Sequence, residues 1–418
     1  MTTEPTARSL SCEPLGAAHL RRLIVGQGLA AVVDALFLIW LTLFVLELAE
    51  PGMATGFVLV AAALPRAVLL LPGGVLVDRL GPARIATGAA WLRVAVLLAF
   101  GALVSFTSPS VVTVALLAGV LGGADAAYFP AALALVPAVV PTERLARVNA
   151  LVQSAESGGD LVGPAVAAGV VAVVGFDATL WGIAALAALA AVALSLPRRA
   201  VWGGERAGGA AEPDPVGGQQ VSSARALGAG LRYAWREPVV RGMLAAIALI
   251  NITVVGPVLV GGAVLAGQRL GGAGSLGIVL SGFGAGSLAG ALTAGWRSPA
   301  RRGWTVVGGV ATIGAGMAGL AAVTHVVAAT AVVSLIGLGS AFLGVVVVAT
   351  LQERVPRQLL GRVLSLVVLA TVAFDPFSYL LAGVLVPFGT TPLFLLCGSA
   401  VLACAALVAT SPAIRSLR

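Results

Sequence analysis

Leu23-Ile24-Val25-Gly26-Gln27-Gly28-Leu29-Ala30-Ala31-Val32-Val33-Asp34-Ala35-Leu36-Phe37-Leu38-Ile39-Trp40-Leu41-Thr42-Leu43-Phe44-Val45-Leu46 carries a single charge, Asp34. A helix needs about 20 mostly apolar residues to cross the hydrocarbon of a bilayer, so this run is long enough to span it. It is too long for the core of a cleavable signal peptide, and no small-residue cleavage pattern follows it. Working outward, runs of the same kind recur at 55–77, 84–106, 111–137, 147–172, 178–196, 239–265, 273–295, 304–323, 327–350, 361–386 and 391–411. The spacing predicts twelve spanning helices.

Composition agrees. Of 418 residues, 59% are hydrophobic and 10% charged, and the mean hydropathy is +1.05. A soluble domain is roughly half apolar and about a quarter charged. A chain this apolar lacks the polar surface to face water on all sides, so lipid must be part of its solvent. The net charge of +8 does not mark a nucleic-acid partner. The basic residues, all arginine, sit in short gaps between apolar runs rather than on one face, as membrane topology requires. Cys12 precedes the first span, and Cys397 and Cys404 lie within the last; they have no metal-ligand spacing and no expected disulfide. His19 and His325 stand alone. No metal and no cofactor is expected.

The arginines also report orientation. The even-numbered gaps, the long segment 197–238 and both tails hold nearly all of them, whereas the odd-numbered gaps hold Arg269 alone. Positive charge is retained on the cytoplasmic side, so both termini and the long segment are expected in the cytoplasm of a multi-pass cell-membrane protein. The expected organisation is a tail (1–22), a six-helix bundle (23–196), a cytoplasmic linker (197–238), a second six-helix bundle (239–411) and a short tail (412–418).

The two halves repeat in sequence. Val140-Pro141-Thr142-Glu143-Arg144-Leu145-Ala146-Arg147-Val148 aligns with Val355-Pro356-Arg357-Gln358-Leu359-Leu360-Gly361-Arg362-Val363, sharing Val, Pro, Leu, Arg and Val at an offset of 215 residues. The same offset carries Asp160 onto Asp375. Six spans repeated in parallel is the layout of transporters whose halves rock about a site at the membrane midplane.

Between spans two and three stands Gly74-Val75-Leu76-Val77-Asp78-Arg79-Leu80-Gly81-Pro82-Ala83-Arg84. It resembles the loop signature G-x-x-x-D-R-x-G-x-x-R of the major facilitator superfamily. The glycine is expected to let helices approach closely, and the Asp78 carboxylate to cap a helix end or pair with an arginine and hold a cytoplasmic gate shut. In span five, Gly159-Asp160-Leu161-Val162-Gly163-Pro164 resembles the G-x-x-x-G-P motif of drug/proton antiporters in that superfamily, although Ala150 replaces an upstream glycine of the fuller motif. Small residues at i and i+4 permit tight packing, and proline kinks the span.

Many proton-coupled members carry an arginine in span four, where this chain has only Asp125. Gln352-Glu353-Arg354-Val355-Pro356 followed by Gly361-Arg362 is similar to the sequence before span eleven in the branch containing the enterobactin exporter and macrolide-efflux proteins. The resemblance covers essentially the whole chain. It implies the major facilitator fold, an all-α membrane protein of twelve helices in two halves, and efflux.

Ionisable groups inside a span are costly and are functional candidates. Seven lie deep: Asp34, Arg66, Arg93, Asp125, Glu156, Asp160 and Asp375. Asp34 sits roughly 17 Å from the cytoplasmic end of its helix at 1.5 Å per residue. Arg66 and Arg93 are permanently charged and need partners, for which Asp34 and Asp125 are candidates. Up to three acids then remain. A carboxylate in a low dielectric can hold a proton, which suits Asp34, Asp125, Asp160 and Asp375 to proton coupling. The alternative is that these charges, Arg66, Arg93 and Glu156 above all, are structural pairs locking helices together.

Aromatics stand beside the acids: Phe37 near Asp34, Tyr128 and Phe129 after Asp125, and Phe374, Phe377 and Tyr379 around Asp375. With Asn251 in span seven, they suggest a substrate cavity for a lipophilic or amphipathic molecule. The resemblance implies that spans one, four, seven and ten line that cavity, which puts Asp34 first among the coupling acids. The reading is proton-driven export of a small lipophilic compound by a monomer. Uptake of a nutrient by symport is the alternative on the same fold. A membrane enzyme or scaffold has little support, because no Ser/His/Asp set, metal-binding cluster or phosphate loop appears.

Overall fold

The computed structural model describes residues 17–49, 52–140, 142–195, 223–296 and 302–415. Every regular element among them is helical. Hydrocarbon offers no water to an unpaired N–H or C=O, so a spanning segment satisfies its backbone within itself, as a helix does. In chain order these are α1 (Ala17–Leu48), α2 (Met53–Leu80), α3 (Pro82–Phe106), α4 (Val111–Val139), α5 (Thr142–Leu194), α6 (Ser223–Arg236), α7 (Pro238–Gly256) and α8 (Gly262–Arg269). There follow α9 (Ala273–Trp296), α10 (Arg302–Leu320), α11 (Val326–Arg354), α12 (Arg357–Val372), α13 (Asp375–Leu385), α14 (Thr390–Thr410) and α15 (Pro412–Arg415).

Among the described residues, eleven helical stretches are long and apolar enough to cross a membrane. The difference from the expected twelve lies in α5. The expected spans 147–172 and 178–196 fall in one helical stretch, broken at Gly175 by a backbone of φ 81° and ψ 177° that favours glycine. Span seven is interrupted too: a π-helical turn, Pro257–Gly261, joins α7 to α8 where Pro257 offers no N–H to the ladder. The expected span 361–386 is divided between α12 and α13, with Pro376 at the start of α13. The expected linker contains α6; residues 197–222 of it, like residues 1–16 and 416–418, lie outside the described residues.

α1 packs along α5, α2 along α4, and α3 against α4 and α5. In the second part α9 packs along α11, α10 against α11 and α14, and α13 and α14 against α7. The sets meet most extensively at two crossings, α5 with α9 and α2 with α13. Glycine permits the closest of these approaches. A Cβ on Gly122 of α4 would strike the Ala62 carbonyl of α2, and one on Gly337 of α11 would strike the Phe283 carbonyl of α9. Gly122 and Gly337 are themselves 215 positions apart, so the internal repeat extends to a packing device.

Inside, Trp40 is fully buried in a cluster with Phe37, Phe44, Phe100 and Phe176, and its indole N–H donates to the Phe176 carbonyl at 2.9 Å. Gln27, also buried, donates to the Ala132 carbonyl at 3.0 Å and ties α1 to α4. Outside, the helices present large apolar side chains such as Phe106, Val173 and Leu407. Lipid can cover such a surface and water cannot.

Candidate functional site

Five of the seven intramembrane charges converge. Asp34 of α1, Arg66 of α2, Arg93 of α3, Asp125 of α4 and Asp375 of α13 line one pocket of about 210 Å³. Arg93 is its centre. Its side chain is 5% exposed, and its Nη2 pairs with Asp34 Oδ1 while its Nε lies 3.0 Å from Asp125 Oδ1. The second contact is a charge contact rather than an aligned hydrogen bond, since neither atom has a hydrogen-bond partner. One guanidinium thus serves two carboxylates from two other helices. The forked, permanently charged head of arginine suits that geometry as a lysine ammonium would not. Asp34 remains about half exposed to the pocket, its side chain at 49%.

The arginines also engage rings. The Arg93 guanidinium lies over Tyr128, 5.0 Å from the ring centroid, and that of Arg66 over Phe129 at 5.4 Å. Asp34 and Asp125 are candidate partners for either arginine by sequence, but both acids go to Arg93. Arg66 makes no ion pair among the described residues, and its buried Nε has no hydrogen-bond partner. The Phe129 face gives it a cation–π contact. Two arginines and three aspartates leave one negative charge when all are ionised, which a proton can neutralise.

Beside this pocket lies a larger cavity of about 640 Å³, within the size range of small-molecule sites. Its walls come from α1, α5, α7, α9, α11 and α13 and the π turn, through residues such as Pro164, Val254, Val258, Phe283 and Val345. Among the described residues no charged side chain lines it; Ser287 and Tyr379 bring its polar side-chain groups, and the Ser287 hydroxyl is turned to the Gly337 carbonyl at 3.3 Å. The two spaces share three wall residues, Ala35, Leu38 and Tyr379.

Several expected cavity residues sit elsewhere. Phe37 lines the charged pocket, but Tyr128, Phe129, Asn251, Phe374 and Phe377 line neither space. Tyr128 and Phe129 are held against the guanidinium groups. Asn251 donates to the Ile247 carbonyl at 2.9 Å within its own helix. Phe377 is two residues from Asp375 and so projects to nearly the opposite face of α13, where it is exposed and packs on Phe374 with ring centroids 6.1 Å apart. Tyr379, four residues from Asp375, shares its face. That i, i+4 spacing was readable in the sequence. The aliphatic wall residues carry no signal in a chain so rich in them.

In the loop motif, Gly74 is not a close-approach glycine, because nothing lies within 4 Å of an added Cβ there. Its neighbour Gly73 takes that role, with the Ala126 carbonyl where a Cβ would stand. Gly81 ends α2 at φ 87° and donates its N–H to the Val77 carbonyl at 2.9 Å. Arg79 and Arg84 are exposed at the adjoining helix ends, while the side chain of Asp78 lies outside the described residues. In span five, a Cβ on Gly159 would meet Val32 at 3.2 Å and one on Gly163 would meet Ala35 at 2.6 Å, so both sit tight against α1. The side chains of Glu156 and Asp160 lie outside the described residues.

Comparison with known proteins gives a consistent picture. The chain is 29% identical over 99% of its length, and 98% of the relative's, to the uncharacterized MFS-type transporter y4rN of Sinorhizobium fredii (strain NBRC 101917 / NGR234). Its fold is similar to a crystal structure of the peptide transporter POT in complex with sulfate, with a TM-score of 0.71, 15% identity and 97% of each chain covered. It is also similar to a mutant of the nucleoside transporter NupG, with a TM-score of 0.74, 12% identity, and 94% of this chain and 99% of that chain covered. At such identities the structural likeness speaks to fold alone. The family model of the Major Facilitator Superfamily matches residues 23–374, and the chain belongs to that superfamily.

Proposed function

We propose that the protein is a secondary active transporter, a proton-coupled antiporter that exports a small lipophilic compound across the cell membrane by alternating access. It works as a monomer of twelve spans in two six-helix halves, with both termini cytoplasmic. The break at Gly175 supports counting α5 as two spans, and the one-sided distribution of arginine supports the orientation. The sequence similarity before span eleven to the enterobactin-exporter and macrolide-efflux branch favours export.

The observation that carries the reading is the adjacency of the two spaces. An apolar cavity between the helix sets abuts a pocket where Asp34, Asp125 and Asp375 meet two arginines. An antiporter needs a cargo site and a proton site that can influence each other, and three shared wall residues provide the contact. Asp34 is assigned the main coupling role, because it is both paired with Arg93 and open to the pocket. Asp125, Asp375 and Asp160 are further candidates. The proton gradient supplies the energy, with no cofactor, and the reading assigns no catalysis.

The test is accumulation of lipophilic dyes and antibiotics in a host stripped of its own pumps. Wild type is expected to lower accumulation several-fold, and both an uncoupler and Asp34→Asn at matched expression should abolish the difference. A wild type that raises accumulation of any compound above the empty host would point to import instead. Reduced accumulation that survives Asp34→Asn would move coupling to another of the acids.

A further inference from the structure

Tyr379 stands where the two spaces meet. It lines both, is 6% exposed, and is the largest of the three residues they share. Its partners in that wall, Ala35 and Leu38, come from α1 and contribute only aliphatic surface. On one side of the wall lie Asp34, Arg66, Arg93, Asp125 and Asp375; on the other, no charged side chain among the described residues lines the larger cavity. The ring lies one helical turn from Asp375 on the same face of α13, and both line the charged pocket.

The backbone behind Tyr379 is contacted from two directions and fastened from one. The neighbouring Ser378 hydroxyl donates to the Ile252 carbonyl at 2.7 Å and accepts from the Gly256 N–H at 2.7 Å, fixing α13 to α7. On the other face, the Tyr379 carbonyl packs against Gly56 of α2, 3.0 Å from where a Cβ would stand. The two hydrogen bonds hold α13 to α7 at this turn, so the ring keeps its seat relative to α7.

From this placement we infer that Tyr379 is a specificity-determining partition: it keeps cargo in the larger cavity away from the charged groups and so restricts that cargo to uncharged lipophilic molecules. A charged molecule in the larger cavity would lose its hydration without meeting an opposite charge, which is unfavourable. Removing the ring opens a route to three carboxylates and relieves that penalty for cations. The inference rests on the larger cavity being the cargo site.

The test is equilibrium binding to the purified full chain in lipid nanodiscs, corrected with empty discs. The probes are uncharged N-phenyl-1-naphthylamine and cationic ethidium. Wild type and Tyr379→Phe are expected to favour the uncharged probe by about tenfold or more, and Tyr379→Ala to shrink the ratio to within about threefold by gaining the cation. Val258→Trp, which fills the larger cavity, should abolish binding of the uncharged probe. If Tyr379→Ala fails to fold, Tyr379→Val asks the same question.

An unchanged ratio in the Ala or Val variant, with Val258→Trp still abolishing binding, overturns the partition and leaves the cavity as the cargo site. Wild type that binds neither probe, or Val258→Trp that binds like wild type, overturns the cargo site and the partition together. Uncoupler-sensitive export in cells is read separately: its absence with the binding pattern intact sinks the transport reading and not the partition.

Discussion

Arg93→Ala is expected to destabilise the protein by about 3 kcal/mol, the lower end of the range for breaking a buried ion pair. The loss leaves Asp34 and Asp125 facing the same pocket without their shared cation. Asp34, half exposed, can rehydrate, whereas Asp125 at 23% is the more stranded of the two. The cost therefore falls chiefly on Asp125, and adding Asp125→Asn to Arg93→Ala should recover more stability than adding Asp34→Asn. Thermal unfolding of the purified chain, followed by tryptophan fluorescence, reads this directly. Recovered stability should not bring back uncoupler-sensitive export, because the acids themselves are the proposed proton site. An Arg93→Ala chain that melts with wild type would mean the pairing contributes nothing to the fold.

The second large effect is expected at Gly337. An alanine Cβ there would overlap the Phe283 carbonyl, a backbone atom that cannot swing aside as a side chain can. Overpacking of this kind costs about 1–3 kcal/mol, and Gly337→Leu should exceed that and prevent stable insertion. Gly122→Leu, against the Ala62 carbonyl, should behave the same way. The contrast is Gly308, exposed on α10 with nothing within 4 Å of an added Cβ. Gly308→Ala should be neutral or stabilising by up to about 1 kcal/mol, since alanine is the better helix former. Membrane-inserted yield and melting temperature measured on the three variants would refute the packing argument if Gly308→Ala were the most damaging.

How much of this was legible follows from what a sequence encodes about a helix. Length and apolarity are local, so the long apolar helices could be read, eleven of them among the described residues, and the break at Gly175 falls in the gap between two expected spans. Depth is also local: counting along α1 places Asp34 well inside. Rotation about the helix axis is not local when most faces are apolar. This is why Arg93 rather than Arg66 takes both acids, and why the Phe377 ring lies away from the pocket that Asp375 enters. Proline marks both interruptions: Pro257 sits at the π turn in span seven, and Pro376 stands at the start of a new helix within the expected span eleven. The wall of the larger cavity could not be found in advance, because Val254, Val258 and Phe283 differ from lipid-facing residues only in what surrounds them.

The crossing of α2 with α13 has a mechanical meaning. Gly56 and Gly383 meet there almost backbone to backbone, a Cβ on Gly56 falling 2.9 Å from the Gly383 Cα. At the other crossing, Gly277 of α9 faces the Pro164 carbonyl and Ala168 of α5. Both crossings are made through glycine against backbone and small side chains, whereas Ser378 fastens α13 to α7 with two hydrogen bonds. Shear between the helix sets therefore meets least resistance at these smooth contacts, with α13 carried along by α7. The crossings are smooth bearings, and a pair of bulkier residues at Gly56 and Gly383 would act on them as grit.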